Sequence, residues 1–141
     1  MNHHTIEVKV TSANVLGSEK FSPRMWGRLV SIAYIKHGTP TVAFTDSVDF
    51  DVDLEHKTAA GIVFFEEVWS EDAINASEVV RPKPRIQDTA GDDLQIVTAG
   101  GEALVDKDGF ALVGQRLRFG VKDPGTDKEG YFVLTLSGGH E

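Results

Sequence analysis

Ser47-Val48-Asp49-Phe50-Asp51-Val52-Asp53-Leu54-Glu55-His56 alternates apolar and acidic residues from Val48 to Glu55 without a break. In an extended chain successive side chains point to opposite faces. Val48, Phe50, Val52 and Leu54 therefore share one face, and Asp49, Asp51, Asp53 and Glu55 share the other. The stretch reads as a strand with one face in a core and a row of carboxylates outside. A row of like charges is unfavourable unless water, a cation or basic side chains lie opposite it. The same residues thus pose the question of the fold and the question of the partner.

Working outward, the segments on either side carry the same period of two. Thr5–Thr11 sets Ile6, Val8 and Val10 against Glu7, Lys9 and Thr11. Gly27–Ile35 is β-branched and aromatic, and Thr41–Thr45 follows it across a turn at Gly38 and Pro40, which predicts a hairpin. Gly61–Trp69 is the most apolar candidate. Both of its faces begin apolar, so its first half is expected to be buried on two sides. Ser70–Ala76 predicts a short helix, with Ser70 as cap and Glu71 and Asp72 in the first turn.

Beyond it, Leu94–Ala99, Glu102–Val105, Phe110–Val113, Gln115–Val121 and Tyr131–Ser137 read as strands. Gly100-Gly101, Asp108-Gly109 and Pro124-Gly125 supply the turns between them. Leu104–Val113, LVDKDGFALV, predicts a tight hairpin, and Leu117–Phe119 with Phe132–Leu134 a final long pair joined by KDPGTDKEG. Many short strands with almost no helical period argue for one all-β domain over residues 1–141. The expected architecture is an antiparallel β-sandwich or barrel with at most one short helix and an extended arm at 79–87. The expected core includes Val48, Phe50, Val52, Leu54, Ile62, Phe64, Leu117, Phe119, Phe132 and Leu134.

A chain of 141 residues with 40% apolar and 26% charged residues can bury a core without staples. No apolar run approaches the roughly 20 residues of a membrane helix. The start, MNHHTIEVKV, lacks the pattern of a secretory signal, so no export by that route is expected and synthesis in the cytoplasm is the default. With no cysteine, disulfides, thiolate metal sites and cysteine nucleophiles are excluded. The net charge of −8 is concentrated: residues 46–78 hold ten acids against Lys57 alone. Such a region repels phosphate backbones, so neither nucleic acid nor membrane is an expected partner.

Few motifs carry chemistry. Ala90-Gly91-Asp92-Asp93-Leu94 resembles the first motif of trimeric dUTP pyrophosphatases, but the later motifs of that family do not follow it. Asp106-Lys107-Asp108-Gly109 is a fragment of a calcium loop with its glycine in the wrong place and Leu117 where a glutamate is needed. Same-face strand residues lie roughly 7 Å apart, so the acidic row converges poorly on one ion, and neither a metal nor another cofactor is expected. Trp26 and Trp69 are the residues for an alternative reading as a carbohydrate- or ligand-binding module. A metal-dependent or dUTPase-like hydrolase is the third reading, and no enzyme is expected.

Val79–Ile86, VVRPKPRI, places Arg81, Lys83 and Arg85 at the spacing of Asp49, Asp51, Asp53 and Glu55. Pro82 and Pro84 remove donors from one edge only and leave the other able to pair. Arg81, Pro82, Lys83, Pro84 and Arg85 are therefore candidate interface residues opposite the acidic row, within one subunit or between two. The cysteine-free strand-and-turn texture, this RPKPRI stretch and the ending RLRFGVKDPGTDKEGYFVLTLSGG resemble the small all-β virion proteins of tailed bacteriophages. The resemblance implies a structural head decoration, head-tail adaptor or tail protein, made in the host cytoplasm. Such a protein forms a homo-oligomer and binds other virion proteins.

Overall fold

Strands make up most of the described residues, and no helix occurs among them. A computed structural model describes residues 3–82, 96–97, 103–104 and 109–138. In chain order the strands are β1 (His3–Thr11), β2 (Ser18–Phe21), β3 (Met25–Lys36), β4 (Val48–Lys57), β5 (Val63–Ile74) and β6 (Glu78–Val80). They continue with β7 (Ile96–Val97), β8 (Ala103–Leu104), β9 (Phe110–Gln115), β10 (Leu117–Lys122) and β11 (Glu129–Ser137).

Two antiparallel sheets pack face to face in an open, sandwich-like arrangement that does not close into a barrel. The first sheet runs β1-β11-β3, with β6 and β9 end to end on the far edge of β3. The second runs β2-β10-β4-β5, and β7 pairs with β8 in a separate two-stranded ladder. The alternating stretch Val48–Lys57 is thus an inner strand of the second sheet. Val48, Phe50, Val52 and Leu54 all lie at 2% exposure or less. Phe50 meets Tyr34, Phe132 and Trp69 edge to face at 4.7, 5.0 and 5.6 Å. Aromatic pairs in this geometry add about 0.5–1.5 kcal/mol each beyond the area they bury. Gly130 makes room for this cluster, since a Cβ there would come within 2.6 Å of the Phe44 ring.

Several expectations are corrected. Ser70–Ala76 is no helix: β5 runs on to Ile74, with Trp69 and Ile74 in the core and Ser70 paired to Asp51. Cross-strand pairing with β4 satisfies that backbone and overrides the cap signal. Thr41–Thr45 forms no hairpin with β3; the amides of Val42 and Ala43 donate to the Thr39 carbonyl and the turn carries Phe44 into the core. Gln115–Val121 is not one strand, because the chain leaves the first sheet after Gln115 and enters the second at Leu117. Leu117–Phe119 and Phe132–Leu134 consequently lie in opposite sheets, and KDPGTDKEG crosses between them.

Phe110 pairs with Leu29, and Ala103–Leu104 with Val97 and Ile96, so those strands do not form the hairpin expected from LVDKDGFALV. Its turn residues 105–108 lie outside the described residues. Ile62 and Phe64, expected in the core, are 63% and 50% exposed. They sit where the β4–β5 hairpin ends, and the facing sheet does not cover them.

Candidate functional site: the acidic sheet face and its free edge

The acidic row finds basic partners inside the subunit, on β10. The register sets Arg118 opposite Asp53 and Lys122 opposite Asp49, with Gly120 opposite Asp51. Arg118 Nη2 donates to Asp53 Oδ2 at 2.7 Å. Arg116, in the step before β10, donates through Nε and Nη2 to the two Glu55 oxygens at 3.0 and 3.1 Å. That fork geometry matches the planar guanidinium to the carboxylate, and it holds the Glu55 carboxyl below its usual range. Asp49 serves the backbone, accepting the Ala73 amide at 2.9 Å where Ala73 takes a positive φ of 53°.

The arginines also pack. Arg116 lies 3.9 Å above the Phe21 ring and Arg118 lies 3.6 Å above the Phe65 ring, which ties β2, β10, β4 and β5 into one charged and aromatic layer. Asp51 is the weak point of the row. Gly120 brings no side chain opposite it, and a Cβ there would stand 3.3 Å from the Asp51 carbonyl oxygen. Partial desolvation, and then the Asp53 carboxylate beside it, raise the Asp51 carboxyl above its usual value. No group of three or more His, Asp or Glu side chains among the described residues is arranged to hold a metal ion.

The second feature is the edge itself. Among the described residues β5 pairs with β4 only, so its other edge carries no strand. At the start of this edge Ile62, Val63, Phe64 and Phe65 are 63%, 47%, 50% and 37% exposed. The turn that presents them is fixed: the Thr58 amide donates to the Ile62 carbonyl, the Gly61 amide to the Thr58 carbonyl, and the Ile62 amide to Thr58 Oγ1. His56 stiffens the base of the hairpin, stacked on Phe64 at 4.9 Å and held between Glu66 at 2.9 Å and Gln115 at 3.1 Å.

The remaining candidates are scattered. Trp69 is 8% exposed, with its ring in the core and Nε1 donating to Glu71 at 3.4 Å, so it offers no platform for a sugar. Trp26 is 43% exposed and lines a groove of about 410 Å³ with His4, Ile6, Pro23, Arg24 and Met25. The two tryptophans lie in different sheets and share no site. β6 is an edge strand of the first sheet, and Arg81 and Pro82 follow it there. Arg81 therefore does not face the acidic row of its own subunit, because β10 holds that place. Lys83, Pro84 and Arg85 lie outside the described residues, as does the Ala90–Leu94 motif.

Two parts of this site were missed in the sequence. Arg116, Arg118 and Lys122 carry a legible signal, basic residues at even spacing like that of the acids. The exposed Ile62–Phe65 run carries none, since an apolar run reads as core until the facing layer is known. No protein-family model, curated protein or solved structure matches the chain.

Proposed function

We propose that this protein is a structural component of a tailed-bacteriophage particle, working through contacts with its own copies and with other particle proteins. The edge of β5 that no described strand pairs, with Ile62 just before it and Val63, Phe64 and Phe65 exposed at its start, carries the self-association. An unpaired strand presenting large apolar side chains is a template for another chain. Chains that remain single blunt such an edge with proline, charge or a short strand. Here the edge strand is 12 residues long, and its acids begin only at Glu66. The particle setting rests on the resemblance of the strand-and-turn texture and the RPKPRI stretch to small virion proteins.

Sedimentation velocity over a dilution series from micromolar concentration tests the reading, with co-sedimentation on phage particles as its second arm. The chain is expected to sediment as an oligomer. Ile62→Asp with Phe64→Asp is expected to raise the concentration of half-dissociation at least tenfold. A chain that stays monomeric throughout and fails to bind particles would overturn the proposal.

A further inference from the structure

We infer that the tip of the β4–β5 hairpin seats Ile62 and Phe64 in the groove beside Trp26 of a second copy, and that the second copy returns the same contact. The inference rests on the self-association proposed above and names the surface that receives the exposed tip. Tip and groove lie at one end of the sandwich. β4 ends at Lys57 and β5 begins at Val63, so their turn marks that end. The first residues of β1 and β3 and the last of β9 and β11 gather there too, because His3 pairs with Ser137, Arg28 with Ser137, and Met25 with Gln115. The Gln115 side chain reaches across to His56 at 3.1 Å and joins the two sheets at this end.

Strand alternation accounts for the groove. Val8 and Val10 turn into the core from β1, so Ile6 and His4 continue that face toward the start of the strand, where they are only half covered. With Met25, Trp26 and Leu136 they line the cleft of about 410 Å³. A cavity of about 150 Å³ already accepts a benzene molecule, so the cleft has room for the Phe64 ring and the Ile62 side chain together. Its wall is set before a partner arrives: a Cβ on Gly114 would stand 3.3 Å from the Trp26 ring, and Arg24 Nη1 donates to the Gly114 carbonyl at 3.1 Å. The tip is equally fixed, by the Thr58 turn and by the stack of Phe64 on His56 at 4.9 Å. Surfaces that are ordered in advance lose little freedom on meeting.

Charge and area point to a second copy as the occupant. Residues 58–65 carry no charge, and the groove lining holds Arg24 and His4 but no acid, so seating the tip buries no like-charged pair. Ile62, Val63, Phe64 and Phe65 are 63%, 47%, 50% and 37% exposed. Covering them and a matching area of groove, once in each direction, buries on the order of 1,500 Å² in total, the size of a standard stable interface. A single contact would bury about half of that, below the stable range. Because tip and groove share one end of the molecule, a two-fold axis brings each tip to the other's groove and closes a dimer.

The chain has no cysteine, so introduced thiols report which surfaces meet. Ile62→Cys is mixed under mild oxidation with His4→Cys or with Trp26→Cys, all of them positions outside the buried core. The control partner is Leu16→Cys, 82% exposed and at the opposite end, beside the start of β2. At least one groove partner is expected to form the mixed disulfide tenfold or more faster than the control. The double variant His4→Cys/Ile62→Cys is expected to give dimers closed by two bridges on a non-reducing gel, whereas a ladder of larger species would overturn the returned contact. Sedimentation of the wild-type chain separates the two levels of the argument. A wild-type oligomer whose groove partners both link no faster than the control has another occupant in the groove, and this inference falls alone. A wild-type monomer overturns the self-association as well.

Discussion

Replacing Arg118 by Met keeps most of the packing volume and removes the charge. Asp53, only 7% exposed, then keeps its carboxylate beside Asp51 with no cation opposite. Removing one partner of a fully buried pair costs about 3–5 kcal/mol. The Arg118 side chain is 28% exposed and that of Asp53 10%, so solvent screening reduces the loss to about 1.5–2 kcal/mol. The guanidinium over Phe65 at 3.6 Å adds about 0.5–1 kcal/mol. The expected total is about 2–3 kcal/mol. With an unfolding entropy of about 2.1 cal/mol/K per residue, a chain of this length should melt roughly 7–10 °C lower.

Urea unfolding followed by tryptophan fluorescence measures the loss, because Trp69 lies in the core and reports its opening. A double-mutant cycle with Asp53→Asn isolates the pair. The Arg118→Met/Asp53→Asn chain should recover at least about 1 kcal/mol relative to Arg118→Met alone, since the uncompensated charge is gone. A loss below about 0.5 kcal/mol, or strictly additive single changes, would refute the argument that β10 neutralises the acidic row.

Two further outcomes follow from the same geometry. Asp51→Asn removes one of two adjacent carboxylates where Gly120 brings no cation, so it should raise the melting temperature at pH 7 by about 1–3 °C. The gain should shrink as the pH falls through the raised Asp51 value, because the native carboxyl then takes up its proton. At the alkaline end, burial first and then Asp46 push the Tyr34 hydroxyl up from its ordinary 10.0 to about 12. A raised value means that the folded chain holds this proton longer than the unfolded one. Stability linked to Tyr34 is thus intact below pH 10 and is lost between about 10 and 12, amounting to ~2–3 kcal/mol. Subtracting the stability curve of Tyr34→Phe from that of wild type should expose this limb, and identical slopes above pH 10 would contradict it.

Period-two alternation was the legible part of the fold. Where one face of a strand is buried and the other wet, as in β4, β10 and β11, residue order alone assigned the core, and all four inward residues of β4 lie in it. Failure came where the outcome depends on which layer lies overhead. Ile62 and Phe64 are as apolar as Phe50, but the β4–β5 hairpin carries them beyond the facing sheet. Strand partners were misjudged for a related reason. A turn signal states that the chain reverses, not whether it returns to the same sheet, and at 37–47, at Arg116 and at 123–128 the chain changes sheets. Ser70 illustrates a third limit: its capping chemistry is real, yet a paired edge satisfies the same backbone groups more completely.

Charge spacing is similarly ambiguous, and topology resolves it. Arg81, Lys83 and Arg85 match the acidic row of β4 in period, and so do Arg116, Arg118 and Lys122; the second set takes the place because β10 is the neighbouring strand. Among the described residues the outer edge of β5 carries no strand; it is apolar at Ile62–Phe65, and its strand is acidic at Glu66, Glu67, Glu71 and Asp72. If two such edges paired in register, each would bring its acids against those of the other, and like charges directly opposite are destabilising. The same acids attract a basic strand. The acidic half of β5 thus discourages β5 from pairing with β5 and favours a partner of opposite sign, while the apolar half supplies area to bury. Repulsion of one partner together with attraction of another is how an edge becomes specific. On this argument Glu66→Lys with Asp72→Lys should remove the repulsion between like edges and make the chain more prone to aggregation, which light scattering over a dilution series measures; unchanged scattering would contradict it.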